Sequence, residues 1–165
     1  MGFGPSQGSG GGGSSSGAGG GGSQTVWYFN SNIASSAYAA GTPYVPLAKN
    51  ATEQYVTFDI VAPATGTLTL TILYAMSAAN SGDVALELDY CKTAVGGDPN
   101  AAITSQASFT FTPGAVTTML SKTHATLALA VTAADHLFLK LSRKNVAGDT
   151  HTGSMNILAI RAEVA

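Results

Sequence analysis

The sequence predicts an all-β protein: an antiparallel β-sandwich of the jelly-roll type, with about eight strands, preceded by an extended Gly/Ser-rich arm. Several segments alternate apolar and polar residues with the period of two that is typical of half-buried strands. Turns rich in Gly, Pro and Asn separate these segments. No window of about 12 residues combines a helical period with capping residues. We assign residues 1–24 to the arm and residues 25–165 to the head.

The arm is too poor in apolar residues to fold by itself. Gly fills 12 of the first 22 positions, five of the others are Ser, and the first charged residue is Lys49. Such a segment cannot bury enough apolar surface to offset the entropy that is lost on ordering. We therefore expect another chain to hold the arm. Its anchoring residues are predicted to be Met1, Phe3 and Pro5, because these side chains can fill a pocket.

The strands of the head follow one another along the chain, separated by turns. The predicted strands are residues 26–29, 55–61, 67–76, 83–90, 108–112, 124–131, 136–143 and 155–164. Sharp reversals need Gly, Pro or Asn, and such turns are predicted at 63–66, 80–82 and 113–114. In the strand 136–143, Leu137, Leu139 and Leu141 share the face that points inward. The segments 31–51 and 96–107 are predicted to be long loops.

Two groups of apolar residues are candidates for contact with other molecules. In the last strand, Met155 and Ile157 are placed opposite the main apolar face, where a monomer would expose them. The densest aromatic cluster, Trp27-Tyr28-Phe29, lies where the arm joins the head. We assign both groups to an oligomer interface or to glycan contact, with core packing as the alternative for the aromatic cluster.

The composition excludes several classes of function. The net charge is −2 and charged residues make up only 10% of the chain, so no basic patch is available for nucleic-acid binding. No apolar run approaches the roughly 18 residues of a membrane span, and the N-terminus lacks the pattern of a signal peptide. The single Cys91 excludes an intrachain disulfide framework and a cysteine-based zinc site. We expect this thiol to be buried or half-buried, with an interchain disulfide or a reactive thiol as the alternative.

No cofactor or metal site is predicted. His124, His136 and His151 share no close ligand spacing and are expected at surfaces or interfaces. The alternative is that one of them meets its copies from two other subunits on a threefold axis and binds a metal.

Three carboxylates line one face of the predicted strand 83–90: Asp83, Glu87 and Asp89. They are expected to be solvated or to pair across strands with Lys140 or Arg143. The alternative is a paired-carboxylate site of the kind that glycosidases use. Asp149, in the connection that follows Arg143, is predicted to cap a turn or to pair with that arginine. No residue is assigned a catalytic role.

Three segments of the head carry a recurring order of strands and turns. The first is Phe58-Asp59-Ile60-Val61-Ala62-Pro63 with Gly66 and Leu68-Thr69-Leu70, and the second is Tyr74-Ala75-Met76-Ser77 with Ser81-Gly82-Asp83-Val84. The third comprises His136-Leu137-Phe138-Leu139-Lys140-Leu141-Ser142-Arg143-Lys144, Gly148-Asp149-Thr150 and Met155-Asn156-Ile157-Leu158-Ala159-Ile160-Arg161. From Tyr55 onward this pattern resembles a β-sandwich module of bacteriophage virion proteins, which occurs in tail fibres, receptor-binding tips and capsid decorations.

The resemblance implies a non-enzymatic virion structural protein. A capsid decoration or head-fibre protein is expected, a homotrimer attached through its arm to the major capsid protein or another virion protein. Its place would be the virion surface, after synthesis in the host cytoplasm. The alternatives are a short tail-fibre or receptor-binding tip, a carbohydrate-binding module with a host surface glycan as partner, and a glycan-cleaving enzyme. An exposed aromatic platform beside Asn or Asp side chains would favour carbohydrate binding, and carboxylates about 5–9 Å apart in a cleft would favour the enzyme.

Overall fold

The computed structural model consists of strands, turns and loops in all the residues that it describes. These are residues 22–26, 30–31, 36–37, 43–49, 52–79, 81–98, 102–105, 108–114, 118–123, 128–143 and 146–165. The strands are β1 (Gly22–Val26), β2 (Asn30–Ser31), β3 (Ser36–Ala37), β4 (Pro43–Leu47), β5 (Gln54–Val61), β6 (Gly66–Met76), β7 (Val84–Thr93), β8 (Thr104–Ser105), β9 (Phe109–Phe111), β10 (Leu120–Thr123), β11 (Leu129–Val131), β12 (His136–Arg143) and β13 (Met155–Val164). No helix in the described part of the chain has the length and apolar character needed to cross a membrane.

Two antiparallel sheets form the head. The first sheet has the order β10-β6-β13-β4-β3, with β1 also paired to β13 and β11 to β6. The second has the order β2-β5-β12-β7-β8, with β9 also paired to β7. Central neighbours in the second sheet are far apart in the chain, as in the pairing of β12 with β5 and β7. The predicted all-β sandwich is confirmed, and its first strand begins at Gly22, inside the segment assigned to the arm.

The core lies between the two sheets and follows the predicted alternation. Leu68, Leu70 and Ile72 of β6 are buried, as are Leu137 and Leu139 of β12. These residues belong to one hydrophobic cluster with the inward side chains of β5, β7 and β13. The predicted register of the strands 67–76 and 136–143 is therefore correct.

The last strand contains an irregularity that the sequence pattern does not reveal. Met155 pairs with Met76 and Ile157 with Tyr74, but the next pair is Ala159 with Leu73. Leu158 is thus an extra residue, a β-bulge, and it reverses which side chains face inward. Met155 and Ile157 lie in the core at 0% exposure. Their predicted position on the side of β13 that faces away from the core is wrong, because the prediction assumed strict alternation through the bulge.

Three strands, β3, β4 and β8, lie inside segments that were predicted to be loops. Strand β4 pairs with β13 and carries the buried residues Val45 and Leu47. Its two prolines, Pro43 and Pro46, lack the N–H that a sheet ladder uses, so they argued against a strand. The short strand β8 lies within the predicted loop 96–107 and pairs with β7.

A buried arginine fixes the connection between β12 and β13. Arg143 is fully buried, and both oxygens of Asp149 accept hydrogen bonds from it. Its remaining N–H groups donate to three backbone carbonyl oxygens, those of Leu47, His151 and Gly153. The predicted pairing of Arg143 with Asp149 is confirmed, and it anchors β12 at the end opposite to His136.

Candidate functional site

The outer face of the second sheet carries the candidate site. Strands β5, β12 and β7 lie side by side, and their outward residues form transverse rows. One row is Val61-His136-Thr93, and the next is Asp59-Phe138-Cys91. A third row contains Thr57, Lys140 and Asp89. We refer to these three rows as the outer face.

A shallow pocket lies over the first two rows. It is lined by Asp59, Cys91, Thr93, His136 and Phe138, and its volume is about 420 Å³. This volume falls within the range of roughly 300–1,000 Å³ that small-ligand sites occupy. Three neighbouring strands supply the lining, so the rigid sheet holds these side chains in place.

The floor of the pocket includes an exposed aromatic ring, that of Phe138. Its neighbours in the strand, Leu137 and Leu139, are fully buried, whereas Phe138 is 38% exposed. Strand alternation therefore turns the ring outward, with the exposed Val61 near it on β5. A large aromatic side chain that remains accessible in a pocket offers an apolar surface for a ligand.

A carboxylate lies next to this ring. Asp59 is the cross-strand partner of Phe138, and the side chains of such pairs lie on the same face about 5 Å apart. Asp59 is exposed and makes no hydrogen bond or ion pair within the part of the chain that the structure describes. Its two oxygens are free to accept hydrogen bonds from a ligand.

The third row contains a cluster of charged side chains around Lys140. Its Nζ atom lies 2.9 Å from Oε1 of Glu53 and 3.4 Å from Oδ2 of Asp89, and 5.0 Å from the centre of the Tyr55 ring. Burial by itself would lower the pKa of Lys140, but the hydrogen bonds and charges of Glu53 and Asp89 outweigh it and raise this pKa above its ordinary value. The positive charge of Lys140 is thus matched by its neighbours.

The carboxylates predicted on β7 and just before it have partners of their own. Asp89 accepts a hydrogen bond from Ser105 Oγ at 2.6 Å in addition to its ion pair with Lys140. Asp83 accepts one from Thr112 Oγ1 at 2.5 Å. The cross-strand interpretation is confirmed for Asp89, whose two oxygens are both engaged.

The pocket lining contains none of the predicted contact residues that the structure describes. Met1, Phe3, Pro5 and the cluster Trp27-Tyr28-Phe29 lie outside the described residues. Met155 and Ile157 are core residues, and their side chains have no surface to offer to a glycan or another subunit.

Of the two histidines that the structure describes, one lies at the pocket with the cysteine and the other does not. His136 is exposed at the pocket, His151 is fully buried, and His124 lies outside the described residues. The half-buried Cys91 lines the pocket, as the sequence predicted for its degree of burial. Among the residues that the structure describes, no three His, Cys, Asp or Glu side chains are grouped so that they could hold a metal ion.

Phe138 was missed as a site residue, although its sequence context carried a signal. It is a large apolar residue at an outward position of a strand whose first three inward positions are leucine. Asp59 occupies an outward position of the strand 55–61 in the same way. Only the pairing of β5 with β12 brings the two together, and that pairing joins segments about 80 residues apart.

Comparison with known proteins identifies solved structures that have a similar fold. No family model and no curated protein matches the chain. The CBM35 from Cellvibrio japonicus Abf62 superposes with a TM-score of 0.55 at 18% identity, covering 86% of this chain and 92% of that one. A family 35 carbohydrate binding module from an environmental isolate gives 0.54 at 15% identity, with 83% and 86% covered.

A third similar structure is the CBM36-1 domain of a multidomain xylanase from the hindgut metagenome of Trinervitermes trinervoides. Its TM-score is 0.51 at 13% identity, and the match covers 87% of this chain and 98% of that domain. At such low identity the likeness establishes the fold alone. The chain has the β-sandwich fold of these modules.

Proposed function

We propose that this chain is a non-catalytic carbohydrate-binding module whose ligand binds on the outer face of the second sheet. The observation that carries the proposal is the exposed Phe138 ring beside the Asp59 carboxylate, in a pocket of about 420 Å³. Among the residues that the structure describes, this carboxylate has no partner. An aromatic platform next to an Asp side chain is the feature that distinguishes carbohydrate binding from the alternatives raised by the sequence.

A sugar ring matches the chemistry of this pocket. One face of a pyranose presents C–H groups, which pack on an aromatic ring, while its hydroxyl groups point sideways from the ring edge. At the edge of Phe138, Asp59 accepts strong hydrogen bonds from hydroxyl groups, because a charged acceptor roughly doubles the strength of such a bond. His136 and Thr93 add polar atoms on the neighbouring row.

The expected affinity is low. A pocket with one aromatic ring and an open side buries only part of a sugar, and small ligands gain limited free energy per atom. We expect dissociation constants of about 0.1–10 mM for short oligosaccharides, which corresponds to about 3–5 kcal/mol. Several copies of the module on one particle or one polymer would raise the overall avidity.

A virion-surface location remains our prediction from the arm and from the resemblance to phage modules. It is compatible with glycan binding, because a module held by an arm would present its outer face to host surface glycans. Removing residues 2–20 should leave the fold and glycan binding unchanged and abolish cosedimentation with phage particles that lack the protein. Undiminished cosedimentation of the shortened protein would contradict attachment through the arm.

The binding proposal is tested with the full chain on an oligosaccharide array, followed by calorimetry on the sugars that bind. Phe138→Ala should weaken binding at least tenfold, because the stacking surface is lost. Met119→Ala is the matched control: Met119 is another exposed apolar residue, next to the first sheet, and its truncation should leave affinity unchanged. Equal affinity of Phe138→Ala and the unaltered protein for every sugar would place binding elsewhere.

The same samples test the absence of catalysis. Each bound oligosaccharide is incubated with the protein and its reducing ends are counted over time. We expect no release. A release that persists through purification and is lost in Asp59→Asn would instead favour a glycan-cleaving enzyme.

A further inference from the structure

The pocket has an unbalanced negative charge. Of its five lining residues, Asp59 is the one with a full formal charge at neutral pH when histidine is neutral. The lysine of the outer face, Lys140, is already paired with Glu53 and Asp89 at 2.9 and 3.4 Å. Within the described part of the chain, a ligand on Phe138 therefore meets one uncompensated carboxylate.

We infer that Asp59 makes this site select its sugars by charge, favouring those with an ammonium group, accepting neutral ones and rejecting acidic ones. The inference rests on the proposed function. An ammonium group gains an ion pair with Asp59 and a cation–π contact with the Phe138 ring. A carboxylate or sulfate on the sugar is repelled by Asp59, and no described cation at the pocket is free to compensate.

The size of the effect follows from the separation of the charges. Two charges about 5 Å apart at a partly exposed site interact strongly enough to change a dissociation constant by about five- to tenfold. The attraction and the repulsion have similar magnitudes, so an ammonium sugar and an acidic sugar should differ by about 25-fold or more. Salt screens such interactions, whereas the stacking of a neutral sugar does not depend on charge.

The test uses methyl β-glycosides that differ only at C6: glucose, 6-amino-6-deoxyglucose and glucuronic acid, and the same set in the galactose series. Binding to the full chain is followed by NMR titration at about pH 7.5, where a primary ammonium is charged and histidine is ordinarily neutral. The expected order of affinity is amino, neutral, acidic. The differences should shrink between about 10 mM and about 1 M salt, as the Debye length falls from about 30 Å to about 3 Å.

Asp59→Asn separates charge selection from binding itself. The amide keeps the shape and an acceptor oxygen but loses the charge that strengthens hydrogen bonds to hydroxyl groups. The neutral glycoside should therefore bind about three- to tenfold more weakly than to the unaltered protein, while the three affinities converge to within about twofold. Glu163→Gln is the matched control. It changes the net charge equally, but Glu163 lies on the first sheet beside Arg161. This control should keep the original order.

The outcomes distinguish the inference from the proposed function. If Asp59→Asn binds the neutral glycoside and the order of affinity among the amino, neutral and acidic glycosides is unchanged or reversed, the inference is overturned. The module then remains a carbohydrate binder. The absence of binding by all six glycosides to the unaltered protein overturns both. If the three affinities converge in Asp59→Asn and keep their original order in Glu163→Gln, the role of Asp59 in charge selection is supported.

Discussion

Arg143 and Asp149 form an ion pair that is fully enclosed in the protein. Arg143 Nε lies 2.6 Å from Asp149 Oδ2, and Nη2 lies 2.8 Å from Oδ1, with both side chains at 0% exposure. The backbone carbonyls of Leu47, Gly153 and His151 take the other N–H groups, so all five donors of the guanidinium are used. The pair thereby joins β12, β4 and the segment before β13, and every charged group that it buries is satisfied.

Asp149→Asn should be strongly destabilising. The amide preserves the shape but leaves the buried Arg143 charge uncompensated, which typically costs about 3–5 kcal/mol of the free energy of unfolding. Urea denaturation followed by circular dichroism measures the change. As a control, Glu163→Gln removes one partner of an exposed pair with Arg161 at 3.7 Å, and it should change stability by less than about 0.5 kcal/mol. Similar losses in the two variants would contradict the structural role of the buried pair.

Gly82→Ala should destabilise the turn before β7. Gly82 has φ +128°, and a Cβ atom there would lie 2.9 Å from the backbone nitrogen of His151. Both the backbone conformation and the contact are unfavourable, and we expect a loss of about 2–4 kcal/mol. Gly96→Ala is the matched control: its φ is +84°, but nothing lies within 4 Å of the added atom. It should lose only about 1–2 kcal/mol, and a loss equal to that of Gly82→Ala would mean that the contact with His151 has no effect.

Stability should decline at alkaline pH through two identified groups. Burial raises the pKa of Tyr74 above its ordinary value of 10.0, and the pKa of Lys140 lies above 10.5 because Glu53 and Asp89 outweigh its burial. Both groups hold their protons more tightly in the folded state. Their contribution is therefore complete below the unfolded pKa values and is lost as the pH rises through the folded ones. Unfolding free energies should be flat up to about pH 9 and fall above about pH 10.

Two variants test whether Tyr74 and Lys140 cause this loss of stability at alkaline pH. Tyr74→Phe removes the ionising hydroxyl, so its stability should fall less steeply above about pH 10 than that of the unaltered protein. Lys140→Met removes the other group and should likewise flatten the curve, from a lower starting value at neutral pH. An unchanged slope in both variants would show that other groups cause the decline.

Much of the fold was predictable from local alternation. The inward leucines of β12 and the alternating residues of β6 specify their faces without knowledge of the partner strands, and the structure agrees. The failures have local causes. Pro43 and Pro46 conceal β4, and the bulge at Leu158 moves Met155 and Ile157 into the core. The predicted trimer consequently loses the exposed apolar face that motivated it, and sedimentation of the full chain remains its test.

The site was less predictable because it depends on strand order. Phe138, Asp59 and Cys91 belong to three strands that are distant in sequence, and their meeting requires the order β5-β12-β7. No periodicity within one strand contains that information. The pairing of Arg143 with Asp149 was predictable, by contrast, because only six positions separate the two residues and a short connection limits their distance.

Two adjacent residues of β12 should respond to substitution in opposite ways. Leu139 is fully buried in the core, so Leu139→Ala should lower the free energy of unfolding by about 2–5 kcal/mol through lost apolar contact and a cavity. Phe138 is exposed on the other face, so Phe138→Ala should cost less than about 1 kcal/mol and remove sugar binding instead. Urea denaturation and NMR titration with one oligosaccharide measure the two properties in the same samples. A large stability loss in Phe138→Ala with unaltered binding would mean that the ring supports the fold and that β12 presents its ligand surface through other side chains.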